Sequence, residues 1–212
     1  MTPLLVLFDV DGTLLVTDDP LAGIALRETL AERYAVELPE DAIERVDHEG
    51  QTSLRIARLV LAAVGVEEPR GLAGWCRRFA DRYLELLADA DTSAWQTPPD
   101  AERSLERLAA AGARLALLTG NPEPMARARM KRLGLSGFFP RGQGAFGCEC
   151  ESRVELIELA RARAGGWPAE ATVEIGDTAR DATSSREAGI HSIVLGKDDL
   201  SAAVRQLLDV SA

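Results

Sequence analysis

Two aspartates directly behind a short apolar run are the strongest chemical signal in the sequence. The run Leu4–Phe8 leads into Asp9, Val10, Asp11 and Gly12. A continuous apolar run of this length predicts a strand buried on both faces, as in a parallel sheet. Two carboxylates at its end are costly to desolvate unless a cation pairs with them, and magnesium prefers carboxylate oxygens. A simple Asx turn is the alternative for DxD alone, whereas the longer DxDGT favours a functional site.

Polar groups also follow the apolar run at 115–118. Thr119, Gly120 and Asn121 come next, immediately before a predicted helix. A hydroxyl and backbone N–H groups at a helix start suit an oxyanion such as phosphate. The alternative is an ordinary helix entry, with Asn121 as the cap and a proline after it.

A third apolar run, at 171–175, ends in another acid. Asp177 follows it, and Asp181 comes one helical turn later. Asp177 could complete a metal site and Asp181 could orient a cation, although acids that complement a helix dipole are the alternative. Arg153, near the start of the preceding helix, could bridge a phosphate and these acids. Taken alone, it would be an ordinary solvated arginine.

The elements that must position these residues alternate between strand and helix. Four clear apolar runs and a weaker one at 144–147 are separated by helical patterns, which predicts an α/β domain with a parallel sheet. Ligands of such sheets gather at the carboxyl ends of the strands. Residues 16–95 break the alternation, since they contain helical patterns and no clear strand. We therefore predict a helical insert after the first strand.

Composition limits the partners. The 212 residues carry a formal net charge of -10, which argues against nucleic acid and anionic membranes as partners. No apolar run reaches the length of a membrane span, and no signal peptide is visible, so we expect a cytoplasmic protein. The three cysteines are too few for a disulfide framework, and Cys148 and Cys150 are expected to be packing residues. Nothing in the sequence indicates the oligomeric state.

The motifs FDVDGTLL, LLTGN and IGDTARD, with a basic residue opening a helix between the last two, resemble those of the haloacid dehalogenase-like hydrolase superfamily. The resemblance runs from Phe8 to Asp181. It implies a Rossmann-like core with strand order 5-4-1-2-3 and a helical cap, placed as in phosphoglycolate phosphatase and β-phosphoglucomutase relatives. The expected division is a core of residues 1–15 and 96–212 with a cap of residues 16–95.

The resemblance also implies roles for single residues. Asp9 would attack phosphorus and form an aspartyl-phosphate, and Asp11 would protonate the leaving alcohol and then activate water. Asp9, the main-chain carbonyl of Asp11 and Asp177 would hold Mg²⁺. Phosphate would be bound by the residues of the second motif and by the basic residue, namely Thr119, Gly120, Asn121 and Arg153. The usual basic residue is lysine, so Arg153 departs from the pattern.

Function remains open between several predictions. The leading one is hydrolysis of a small phosphate monoester, because Asp11 supplies a proton that a halide leaving group would not need. A sugar-phosphate phosphomutase is the alternative, and a catalytically silent phosphate-binding module is a third. Gly50, Thr52 and Arg55 resemble a cap loop that faces the substrate, although helix capping explains Thr52 about as well.

Overall fold

The computed structural model describes residues 3–67, 69–196 and 200–210. Its sheet has five parallel strands in the order β3-β2-β1-β4-β5, which is the predicted order read from the opposite edge. The strands are β1 (Leu5–Phe8), β2 (Arg114–Thr119), β3 (Ala145–Phe146), β4 (Thr172–Gly176) and β5 (His191–Val194). The predicted Rossmann-like fold is thus confirmed.

Strand β1 occupies the centre of the sheet because both of its faces are apolar. Its residues pair with β2 on one side and with β4 on the other. Val6 and Phe8 join one buried cluster, while Leu5 and Leu7 join a second cluster on the opposite face. This alternation follows from the two-residue repeat of a strand. The chain returns from β3 to β4 beside β1, so the switch point of the strand order lies at the end of β1.

Five helices cover the two faces of the sheet. They are α4 (Ala101–Ala110), α5 (Glu123–Arg132), α6 (Arg153–Arg163), α7 (Ala179–Glu187) and α8 (Leu200–Val210), with short 3₁₀ turns at Ser136–Phe138 and Ala169–Ala171. Leu105 of α4 and Val204 of α8 pack in the cluster of Val6, whereas Ile157 of α6 packs in the cluster of Leu5.

Three further helices lie between β1 and α4. They are α1 (Pro20–Tyr34), α2 (Ser53–Ala63) and α3 (Leu72–Ala88). They share a separate buried cluster that includes Trp75, Phe79 and Tyr83, whose spacing of four residues places them on one face of α3. The Trp75 indole donates to Thr29 Oγ1 at 2.9 Å, so its buried N–H group is paired. None of the helices in the described ranges is both long and apolar enough to cross a membrane.

A disulfide joins the helical segment to the sheet region, in addition to the two places where the chain itself passes between them. A disulfide links Cys76 of α3 to Cys148, which follows β3, across 72 residues of sequence. The interpretation of Cys148 as a packing residue was therefore wrong, because spacing along the chain does not reveal which cysteines meet in the fold. Cys150 is a free thiol.

Candidate active site

Three acids meet at the carboxyl ends of the two central strands. Asp9 follows β1, Asp177 follows β4, and Asp181 lies in the first turn of α7. One carboxylate oxygen of each lies within 4.8 Å of those of the other two. Asp177 also packs against the backbone of Gly12, where an added Cβ would lie 2.0 Å from Asp177 Oδ2. The DxDGT turn therefore needs glycine at position 12 to leave room for the carboxylate of Asp177.

Arg153 lies at the centre of the acids, at the start of α6. Its Nη2 is 2.6 Å from Asp181 Oδ1, 2.9 Å from Glu174 Oε1 and 3.6 Å from Asp9 Oδ1. The side chains of Arg153 and its partners Asp9, Asp181 and Glu174 are all buried. A planar guanidinium can serve several carboxylates at once, which a lysine ammonium does less well. An arginine therefore suits this position geometrically.

Burial sets the electrostatics of this cluster. Desolvation raises the pKa of Asp9 well above its ordinary value, and the nearby charges of Asp181 and Asp11 add to the effect while Arg153 opposes it. Desolvation likewise raises the pKa of Glu174 and Asp177. Burial alone would lower the pKa of Arg153, but the carboxylates around it raise it instead, so it stays charged.

Asp181 uses its two oxygens differently. Oδ2 accepts hydrogen bonds from the backbone N–H and the hydroxyl of Thr178, at 2.8 and 2.7 Å, and so forms a capping box at the start of α7. Oδ1 is buried beside Arg153 but accepts no hydrogen bond of normal geometry. Apart from its ion pair with Arg153, this oxygen has no partner and lies close to Asp9 and Asp177.

The donor set fits a divalent metal ion. Asp9, Asp177 and Asp181 offer carboxylate oxygens at close range, and these are the ligands that magnesium prefers. The cluster contains four carboxyl groups, counting Glu174, and one guanidinium, that of Arg153. When these carboxyl groups are ionised, the excess negative charge is one that a divalent cation would offset. Asp181 Oδ1 pairs with Arg153 but accepts no hydrogen bond, which is a further argument for a cation here.

The Asp11 carboxyl group turns away from this cluster. Its side chain is 53% exposed and accepts hydrogen bonds from Arg129 Nη1 at 2.9 and 3.1 Å. Asn121 Nδ2 also donates to it. Arg129 is buried in α5, and no motif in the sequence marks it.

The residues of the second motif, Thr119, Gly120 and Asn121, lie partly in the protein interior and partly at the cavity. Gly120, Asn121 and Arg153 line a cavity of about 980 Å³ that opens beside Asp9 and Asp177. Thr119 is fully buried, and its hydroxyl accepts a hydrogen bond from Asn121 Nδ2 at 3.1 Å. The hydroxyl therefore holds Asn121 in the arrangement seen here.

The helical segment supplies the other wall of the cavity. Gly50 lines it together with residues of α1 such as Ile24 and Arg27. Thr52 does not reach it, because Thr52 is buried as the N-cap of α2 and donates to the Glu151 carbonyl. Arg55 lines a separate cavity of about 340 Å³. Of the three cap residues chosen from the sequence, the structure brings only Gly50 to the main cavity.

Two functional candidates escaped the sequence analysis for different reasons. Glu174 is a charged residue inside the strand β4, and a charge in a strand buried on both faces is itself a signal of a paired site. Arg129 had no such signal, because it is one of several cations on a polar helix.

The comparisons with known proteins agree with this geometry. The family model described as haloacid dehalogenase-like hydrolase matches residues 4–189. A phosphoglycolate phosphatase of Rhodospirillum rubrum is 32% identical over 196 residues, covering 91% of this chain and 79% of the relative. A phosphoglycolate phosphatase of Caulobacter vibrioides is 29% identical over 188 residues, covering 89% and 77%.

Solved structures show the same fold. The crystal structure of CbbY from Rhodobacter sphaeroides in complex with phosphate matches with a TM-score of 0.65 and 21% identity, covering 93% of this chain and 89% of the other. The sheet order, the acids at its central strand ends and the match over most of the sequence lead to one conclusion. The chain belongs to the haloacid dehalogenase-like hydrolase family.

Proposed function

We propose that this protein is a magnesium-dependent phosphatase that hydrolyses a small phosphate monoester through an aspartyl-phosphate. The observation that carries the proposal is the group of Asp9, Asp177 and Asp181 around Arg153, beside a cavity large enough for a metabolite. Two curated relatives named phosphoglycolate phosphatase support the reaction class. 2-Phosphoglycolate is therefore the first ester to assay.

Asp9 is the nucleophile in this proposal. Its carboxylate oxygen bonds to phosphorus while the ester P–O bond breaks, and the alcohol leaves with a proton. Bound Mg²⁺ would neutralise charge on the nucleophile and on the phosphoryl group. Arg153, held by three acids, keeps a fixed positive charge 3.6 Å from Asp9 Oδ1. The fixed charge lowers the repulsion between two anions that must approach each other.

Asp11 serves as the acid and then as the base. Its carboxyl group gives a proton to the leaving oxygen, and the resulting carboxylate takes a proton from water. The hydroxide oxygen then bonds to phosphorus as the bond to Asp9 breaks, which releases phosphate and restores Asp9. The amide of Asn121 and the backbone of Gly120 are placed to bind phosphoryl oxygens at the cavity wall.

Residues 16–95 act as a cap in this proposal, over a core of residues 1–15 and 96–212. Their helices share a buried cluster of their own and close one side of the cavity. Gly50 contributes there, whereas Thr52 caps α2 and Arg55 lines the smaller cavity.

The test is a phosphate-release assay on a panel of phosphorylated metabolites, with Mg²⁺ or with a chelator. We expect metal-dependent release of phosphate, and a loss of at least about 10³-fold in kcat for Asp9→Asn, because the nucleophile is gone. Absence of release from any ester would contradict the proposal. Isomerised sugar phosphate in place of free phosphate would favour the phosphomutase.

A cytoplasmic location stays a prediction, and the disulfide weighs against it. Disulfides persist in oxidising compartments and are rare in the cytosol. Alkylation of the thiols in intact cells, followed by mass spectrometry, would measure whether Cys76 and Cys148 are paired where the protein resides.

A further inference from the structure

Arg129 is a buried arginine that joins two acids at the base of the cavity. Its side chain is 1% exposed. Nη1 donates to both oxygens of Asp11, at 2.9 and 3.1 Å. Nε and Nη2 donate to Asp19 Oδ2, at 2.9 and 2.7 Å. The two edges of one planar guanidinium thus hold two different carboxylates.

Asp19 and Tyr83 fix the guanidinium from the side of the helical segment. Asp19 is 2% exposed, caps the start of α1, and accepts the hydroxyl of Tyr83 at 2.6 Å. The hydroxyl of Tyr83 in turn accepts from Arg129 Nε at 3.1 Å. The Arg129 carbon Cζ lies 5.2 Å from the centre of the Tyr83 ring. With every nitrogen of its side chain engaged, the guanidinium has one orientation.

Asp11 needs such a support because more than half of its side chain is exposed. A free carboxylate there would sample several rotamers, and acid–base catalysis depends on a proton donor held at a fixed position. We propose that Arg129 is a positioning residue for the acid–base step and acts only through Asp11. This inference rests on the proposed function. Because the other edge of the Arg129 guanidinium holds Asp19, Arg129 also links the position of Asp11 to helix α1.

Leaving groups of different basicity separate this role from a merely structural one. An alkoxide is a strong base and needs a proton as it departs, whereas 4-nitrophenolate is a weak base and departs without one. A fault in positioning Asp11 therefore slows phosphoryl transfer from an alkyl phosphate to Asp9 much more than transfer from 4-nitrophenyl phosphate. General destabilisation lowers the fraction of active enzyme and affects both esters equally.

The experiment compares kcat/KM for 2-phosphoglycolate, or for the best alkyl ester of the panel, with kcat/KM for 4-nitrophenyl phosphate under saturating Mg²⁺. This ratio covers the steps up to departure of the alcohol and leaves out the attack of water, which both esters share. For Arg129→Met we expect a loss of about 10²-fold on the alkyl ester and less than tenfold on the aryl ester. Arg129→Lys keeps the positive charge but loses the planar pair of N–H donors, so we expect its losses in activity to lie between those of the wild type and of Arg129→Met. Lys131→Met, an exposed cation on the same helix, should match the wild type on both esters.

A double variant covers the case in which Arg129→Met does not fold. Arg129→Met/Asp19→Asn removes the negative charge that the single variant leaves buried, yet it still lacks the support for Asp11. Selective loss on the alkyl ester in either variant supports the inference. Equal losses on the two esters, or no loss, overturn it while the wild-type activity leaves the proposed function intact. A wild-type protein inert on both esters overturns the function and the inference together.

Discussion

The buried carboxyl group of Asp9 gives the metal-free protein an unusual dependence on pH. Its pKa is raised above the ordinary value, mainly by desolvation. The folded protein therefore holds this proton over a pH range in which the unfolded chain has lost it. The contribution of Asp9 to stability is greatest below the ordinary carboxyl pKa and is lost as the pH rises through the raised pKa. Metal binding works in the opposite direction, because the ligands must be deprotonated.

We predict that Asp9→Asn stabilises the metal-free protein near neutral pH. The amide removes a charge that is costly to bury beside Asp181, and we expect a gain on the order of 1 kcal/mol in the free energy of unfolding. Denaturant titrations at several pH values, with a chelator present, measure it. The gain should shrink as the pH falls, since Asp9 itself is then protonated. A gain of equal size at acidic pH would contradict the argument.

Single residues also show how far the sequence could predict the site. Asp9, Asp177 and Asp181 follow strand ends, and parallel strands place their ends at one edge, so their convergence was predictable. Arg129 was not, because its partners Asp11 and Asp19 lie more than 100 residues away and no local pattern connects them. Pairings of this kind depend on how helices pack, which the hydrophobic pattern specifies only approximately.

At the scale of elements, α2 docks on the sheet region through backbone contacts. Ser53 donates twice to the Gly120 carbonyl, from its N–H and its hydroxyl, both at 2.8 Å. The N–H of Leu54 donates to the Gly147 carbonyl at 3.1 Å. The glycines allow this approach, since a Cβ on Gly120 would lie 2.1 Å from the Gln51 carbonyl oxygen. The helix that borders the cavity thus rests on the proposed phosphate loop.

We predict that Gly120→Ala impairs catalysis more than it impairs folding. The added methyl group meets backbone atoms that cannot turn aside, so α2 must shift away from the loop. We expect kcat/KM to fall by about 10²-fold, because small displacements of catalytic groups have effects of that size. Steady-state kinetics and thermal melts provide the measurement. Gly137→Ala is the control, since nothing lies within 4 Å of the added carbon; an equal loss there would contradict the explanation.

Element boundaries were largely predictable, and the docking of elements was not. The helical spacing of apolar residues predicts helices at Glu123–Leu133 and Gly71–Ala88, and the structure has them at Glu123–Arg132 and Leu72–Ala88. Glycine or proline lies at the limits of most of these elements, so the local sequence specifies where they begin and end. The burial of Thr52 against the loop at Glu151 depends on two distant segments, and a local pattern does not specify it.

At the scale of the molecule, three covalent connections join the helical segment to the sheet region. Two are the chain itself, where Val16 N donates to the Gln96 carbonyl at 3.0 Å and the two linkers lie side by side. The third is the disulfide between Cys76 and Cys148. Because the cysteines are 72 residues apart, the bridge closes a long loop and restricts the unfolded chain strongly.

We predict that Cys76→Ala/Cys148→Ala lowers the free energy of unfolding by up to about 4 kcal/mol, the loop-entropy contribution for a loop of this length. Reduction of the wild-type protein with a dithiol should have a similar effect, since two electrons and two protons convert the bridge into two thiols. Thermal melts under oxidising and reducing conditions measure it. Cys150→Ser is the control. If reduction left the melting temperature of the wild type unchanged, the bridge would not contribute to stability.

The double acceptance by the Gly120 carbonyl has one more consequence. In the proposed mechanism, the loop that binds the phosphoryl group also holds the start of α2, which forms part of the cavity wall. An outward movement of α2 would break both hydrogen bonds from Ser53 to the Gly120 carbonyl, and it would free the loop that binds the phosphoryl group at the same time. Release of phosphate and binding of the next ester would then both depend on the two hydrogen bonds of Ser53.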